Sequence, residues 1–188
     1  AGFVGANLIE FLVVNTNFRI VSIDNYSSGS KKNHIKSPRV KYIKGDTKNI
    51  QKLLVKSKKK IHTIFHFGEF SRIYQSFKKF DECFNSNSIG SQAVFKFCLD
   101  NKIKLIYSAT SATLGNNGND RNLSPYAFTK FKNLELLENH RQGADSAYSS
   151  YRAIPINQSA LESDYSAAPF PSLASLPSTL AWSASAGE

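Results

Sequence analysis

The chain has 188 residues, 41% of them apolar, enough for one domain with a buried core. No apolar run approaches the roughly 20 residues of a membrane-spanning helix, and Ala1 starts inside a Gly-containing turn sequence rather than a secretory leader. The net charge is +10, yet the densest basic cluster, Lys56 and Lys58 to Lys60, lacks interleaved aromatics and lies between a helix-like and a strand-like segment. That is the pattern of a solvated turn, so neither nucleic acid nor membrane is expected as a partner.

Taken in order, Gly2-Phe3-Val4-Gly5 enters a helical pattern over Ala6 to Val14, and Phe18 to Asp24 (FRIVSID) reads as a strand. Val40 to Lys44 is a second strand, Thr47 to Val55 a helix, and His62 to Phe67 a third strand. A longer helix is expected over roughly Phe80 to Asn101, then a strand over Lys104 to Ser108 and a helix over Pro125 to Asn139. Short β-rich runs alternating with helices argue for βαβ units and a doubly wound parallel sheet of the Rossmann-like α/β class. In that topology a strand should precede Gly2, and it is missing from the front of this chain. Cys83 and Cys98 fall in the helical region and read as reduced core thiols of a cytoplasmic protein.

Composition changes near Asn139. Upstream the chain is rich in Lys, Ile, Asn and Phe; downstream Lys vanishes and Ser, Ala and Pro dominate. Residues 1–139 therefore read as the nucleotide-binding domain, and 140–188 as a disordered tail or a frame-shifted or foreign translation.

Two constellations carry chemistry. Gly2 and Gly5, spaced G-x-x-G ahead of an apolar helix, match a dinucleotide-binding turn, where backbone approaches a pyrophosphate and the helix packs closely on the sheet. Asp24, at the end of the next strand, stands where a carboxylate can hold ribose hydroxyls and repel the extra phosphate of NADP, which favours NAD. Asp46 reads either as the N-cap of the following helix or as an acceptor for the adenine amino group. The second constellation is Ser124-Pro125-Tyr126-Ala127-Phe128-Thr129-Lys130. Tyr and Lys four apart share one helix face, and a neighbouring cation favours the phenolate of a phenol that otherwise titrates at about 10. Upstream, Ser108-Ala109-Thr110-Ser111 ends a strand with hydroxyls that either hydrogen-bond a substrate oxygen or serve turn chemistry. His62 and His66 lie four apart, but no further ligands complete a metal site.

The segments AGFVGANL, IDNYSSG, GDT, FHFGEFSR, NSNSIG, YSATSATLG and SPYAFTK occur in that order. Over roughly residues 1 to 139 the chain resembles the extended short-chain dehydrogenase/reductase family acting on nucleotide sugars, in particular its UDP-glucose 4-epimerase-like members. The resemblance implies tightly held NAD and a catalytic set of Thr110, with Ser111 adjacent, Tyr126 as base and Lys130 as its modulator and ribose partner. Cofactor places fall to Gly2, Phe3, Val4, Gly5, Asp24, Asn25, Asp46, Thr47, Phe67, Gly68, Glu69 and Asn87, with Tyr126 and Lys130. The implied reaction is epimerisation of a nucleotide-activated sugar through a transient 4-keto intermediate, in a parent that resembles homodimers. Alternatives are a reductase or decarboxylase of the same family, or a cofactor-binding fragment without turnover. Four departures bear on this. Ser111-Ala112 replace the Asp-Glu pair of 4,6-dehydratases, Leu114 replaces a Tyr, Glu69 replaces a small residue, and the segment from Gly115 to Tyr126 is short. The tail contains no recognisable substrate domain.

Overall fold

The computed structural model describes residues 1–110, 115–143 and 152–153. Helix α1 (Phe3–Asn15) leads into strand β1 (Ile20–Asp24), which pairs in parallel with β2 (Val40–Lys44), Ile20 opposite Val40 and Asp24 opposite Lys44. The Arg39 guanidinium donates to the carbonyls of Val13 and Thr16, so the segment entering β2 satisfies the end of α1. A short 3₁₀ turn at Thr47–Asn49 precedes α2 (Ile50–Leu54). Strand β3 (Thr63–His66) follows and pairs in parallel with β4 (Lys104–Tyr107), and β4 pairs in parallel with β5 (Arg152–Ala153). All pairings are therefore parallel, as strand–helix–strand units require. Among the described residues no strand joins β1 to β3, and the strands form one two-stranded and one three-stranded sheet.

The helix expected over Phe80 to Asn101 is built as α4 (Phe80–Phe84), a π-helical segment (Asn85–Gly90) and α5 (Ser91–Asn101). In α5, Ser91, Val94, Phe95 and Cys98 recur at helical spacing and are buried. Val94, Phe95 and Cys98 join Ile50 and Leu54 of α2, Ile103, Leu105 and Tyr107 around β4, and Leu137 in one apolar core. The helix ends at Lys102, in the left-handed region at φ 55°, where Ile103 N–H donates to the Cys98 carbonyl at 2.9 Å. Cys83 and Cys98 are buried free thiols, and burial pushes Cys98 up to about 12.

Two elements lie outside the sequence expectations: α3 (Ile73–Lys78) and β5. Helix α6 (Pro125–Gly143) runs through the composition boundary at Asn139. Lys56, Lys59 and Lys60 are exposed around a 3₁₀ turn at Lys58–Lys60. No helix among the described residues is long and apolar enough to cross a membrane.

Candidate active site

Ser124 fixes the start of α6. Its Oγ accepts from Ala127 N–H at 3.0 Å, its carbonyl accepts from Phe128 N–H at 2.9 Å, and Pro125 fills the first helical position, where no donor is needed. This cap sets the rotation of the helix. Tyr126 is left half-buried one step into the first turn, and Lys130, one turn later, is driven into the interior with 3% of its surface exposed.

A buried ammonium needs a counter-charge and acceptors. Lys130 Nζ finds Glu69 Oε2 and the backbone carbonyl of Ser108 at the end of β4, with Ser108 Oγ at 3.4 Å. It also lies 4.6 Å from the centre of the Tyr107 ring. The Glu69 carboxylate is as deeply buried as its partner. Its Oε1 accepts from Tyr107 Oη at 2.9 Å, from Asn133 Nδ2 at 3.1 Å and from Ser91 Oγ. Asn133 Nδ2 also donates to the Asn87 carbonyl at 2.6 Å. Ser91 has one hydroxyl proton and gives it to Glu69, so its 2.8 Å contact with His66 Nε2 assigns the proton of that bond to histidine.

These surroundings set the titration of the neighbours. Burial lowers His66 to about 4, opposed by the Glu69 carboxylate and assisted by the Lys130 ammonium, so the ring is neutral near pH 7. Burial, then the adjacent Glu69 charge, pushes the Tyr107 phenol well above its ordinary range. Tyr107 is thus a hydrogen-bond donor near pH 7, and Tyr126 beside it is half-buried. Thr110 is half-buried just past the end of β4. Ser111, Ala112 and Leu114 lie outside the described residues.

Of the residues expected to hold a cofactor, Asp24 and Asn25, Asp46 and Thr47, and Phe67 to Glu69 lie at or just past the C-terminal ends of β1, β2 and β3, where open α/β sheets bind ligands. Gly2 is the N-cap of α1, and a Cβ built on Gly2 or Gly5 meets no atom within 4 Å. The expected close packing of Gly5 on a sheet is therefore not found among the described residues, whereas the open approach to the backbone is. The first-turn N–H groups of Phe3, Val4 and Gly5 have no intrahelical acceptor by helix geometry. Asp24 sits beside this turn. Its Oδ2 accepts from the Ala1 backbone nitrogen at 2.8 Å and its Oδ1 from Tyr26 N–H at 2.7 Å. Gly29 lies against both, since a Cβ there would come within 3.0 Å of Asp24 Oδ2 and of Ala1 carbonyl carbon.

Asp46 acts as an N-cap, Oδ1 accepting from Lys48 N–H at 3.0 Å, while its Oδ2 lies 3.4 Å from Asn25 Nδ2. Thr47 packs between Gly68 and Gly90, because a Cβ on Gly90 would stand 2.3 Å from Thr47 Oγ1 and one on Gly68 3.2 Å from its methyl. Asn87 is fully buried, with its amide clamping the Phe70 backbone at 2.7 and 3.1 Å and reaching Thr129 Oγ1 at 3.2 Å. It anchors Phe70, the residue that follows the turn Phe67-Gly68-Glu69. The Glu69 side chain faces the interior, and the turn follows directly on β3. His62 is exposed and bonded to Thr63, away from the buried His66–Ser91 pair, and no group of three potential metal ligands occurs among the described residues.

Sequence reasoning missed Ser91, Tyr107 and Asn133. The one signal pointing toward them was the charged residue at position 69, where the resemblance calls for a small one.

Over 141 residues the chain is 28% identical to the ADP-L-glycero-D-manno-heptose-6-epimerase of Brachyspira hyodysenteriae, covering 70% of this chain and 44% of that protein. It is 21% identical over 159 residues to the UDP-glucose 4-epimerase of Streptococcus mutans, covering 79% and 46% respectively. The chain thus spans less than half the length of these curated relatives. The solved UDP-N-acetylglucosamine 4-epimerase of Methanobrevibacter ruminantium, in complex with UDP-N-acetylmuramic acid, superposes with a TM-score of 0.65 at 26% identity, over 76% of this chain and 48% of that one. The family model of the NAD dependent epimerase/dehydratase family matches residues 1–156, and the chain, with its Rossmann-like fold, belongs to that family.

Proposed function

We propose that the protein carrying this chain epimerises a nucleotide-activated sugar through a transient 4-keto sugar, with an NAD-binding unit that runs past residue 139 to include the end of α6 and β5. The observation that carries this reading is the meeting of α6 with the end of β4. There Lys130 bonds Ser108, two residues before Thr110, and Tyr126 stands one turn earlier on the same helix.

The residues present fit a dinucleotide. The first turn of α1 offers N–H groups to a pyrophosphate, and the space beside Gly2 and Gly5 is open. Asp24, Asn25, Asp46 and Thr47 offer polar groups beside it for the adenosine half. NAD, when bound, supplies the hydride acceptor and donor for the sugar carbon. Tyr126 takes the proton from the sugar hydroxyl and returns it, Thr110 hydrogen-bonds the same oxygen, and Lys130 holds a ribose hydroxyl and favours the phenolate. A second reading is cofactor binding without turnover.

Tyr126→Phe tests the assignment in the protein that carries this chain. Turnover of nucleotide sugars should fall by about 10²–10⁴-fold, the usual contribution of a general base, with NAD affinity retained. Unchanged turnover would refute the assigned base, and a parent protein that binds NAD but converts no nucleotide sugar would favour the second reading.

A further inference from the structure

We propose that Glu69 is a positioning residue of this site: the buried counter-ion that fixes Lys130 and sets the net charge presented to Tyr126. This rests on the reading of Tyr126 and Lys130 as the proton-transfer pair.

Three observations carry it. First, the contact is direct and secluded, with the side chains of Lys130 and Glu69 exposed by only 4% and 3%. Second, the ammonium has three N–H donors. Glu69 and the Ser108 carbonyl take two, and Ser108 Oγ lies 3.4 Å from the same nitrogen, so the ammonium is oriented before any ligand arrives. Third, Glu69 is itself immobilised. Its oxygens accept from Ser91 on α5, Tyr107 on β4 and Asn133 on α6, so the carboxylate cannot swing away without breaking bonds to three elements.

The consequence is electrostatic. The titratable groups around the Lys130–Glu69 pair are His66 on β3, Cys83 on α4 and Tyr107 on β4, with Tyr126 beside Tyr107 and one turn before Lys130 on α6. Burial keeps His66 neutral near pH 7 and raises the titration of Cys83 and Tyr107, so both stay protonated there. Glu69 is then the one anion of the group, and it cancels most of the cation's field at a distance. With a small residue at position 69, the same lysine would present an uncompensated charge to the phenol. Glu69 therefore trades strength of activation for accuracy of placement.

The test is Glu69→Gln, which keeps shape and removes charge, read in two ways. One is the pH dependence of turnover. The other is the Tyr126-dependent tyrosinate absorbance, obtained as the difference between a protein and its Tyr126→Phe counterpart, which needs no turnover. Both midpoints should move to lower pH by about one unit, the smaller end of the effect of a charge at contact distance. Midpoints that stay put or rise in a folded variant, with only the melting temperature lowered, would overturn the proposal and leave Glu69 a structural residue. If Glu69→Gln does not fold, Glu69→Asp decides. It keeps the charge but draws the carboxylate back from Lys130, and a downward shift supports the proposal where no shift overturns it. Because the absorbance is measured without substrate, absence of epimerase activity in the parent would count against the proposed reaction and not against the role of Glu69.

Discussion

Replacing Lys130 by Met removes the cation from the centre of the buried network while keeping an unbranched apolar stem in its place. The Glu69 carboxylate, 3% exposed, then has no counter-charge. Breaking one side of a buried pair costs about 3–5 kcal/mol, since the remaining charge stays desolvated. Here the orphaned anion retains donors from Ser91, Tyr107 and Asn133, and charge-assisted bonds of this kind are the strong ones. The loss should therefore fall at the low end, about 3 kcal/mol, or about 6–12 °C in melting temperature for a domain of this size. The double variant Lys130→Met, Glu69→Gln carries neither charge and should recover to within about 1 kcal/mol of the parent, because neutral groups of similar volume replace a buried ion pair at little cost. Urea unfolding of the parent, both single variants and the double variant measures this. A single variant within about 0.5 kcal/mol of the parent, or a double variant as unstable as the two losses added, would refute a buried, coupled pair.

His66 makes stability depend on pH in a defined window. Its ring titrates at about 4 in the folded chain, against about 6.5 when unfolded. The unfolded state takes the proton first as pH falls, so the contribution is full above the unfolded value and is lost between the two, roughly 3 kcal/mol in all. His66→Gln should flatten that part of the stability profile, and parallel losses in parent and variant would argue against it. Gly90→Ala should destabilise by about 1–3 kcal/mol through the clash with Thr47 Oγ1. Adding Thr47→Ala should restore most of the loss, and a failure to do so would place the strain elsewhere. Asp24→Ala should weaken NAD about tenfold or more, the worth of a charge-assisted hydrogen bond, and nucleotide sugar far less. Equal losses, measured by calorimetry, would remove Asp24 from the ribose site.

Much of the architecture is legible in the residues because its determinants are local. Runs such as Ile20-Val21-Ser22-Ile23 are β-branched and short, while Val94, Phe95 and Cys98 recur at helical spacing, so strand and helix alternate by periodicity alone. The Gly2–Gly5 turn and the Tyr126–Lys130 pair are equally local, one set by a turn and the other by the pitch of a helix. Helix α3, with Tyr74 and Phe77 exposed, lacked a buried apolar stripe to announce it, and β5 is too short to show a period. The partnership of Glu69 with Lys130 is of another kind. It joins residues 61 positions apart and is completed by Ser91, Tyr107 and Asn133 from three separate elements. Sequence could mark Glu69 as unusual, but a carboxylate at a strand end can face ligand, solvent or interior with the same local backbone. Only the packing of α6 against β4, which buries an ammonium that must find an anion, decided that it turns inward.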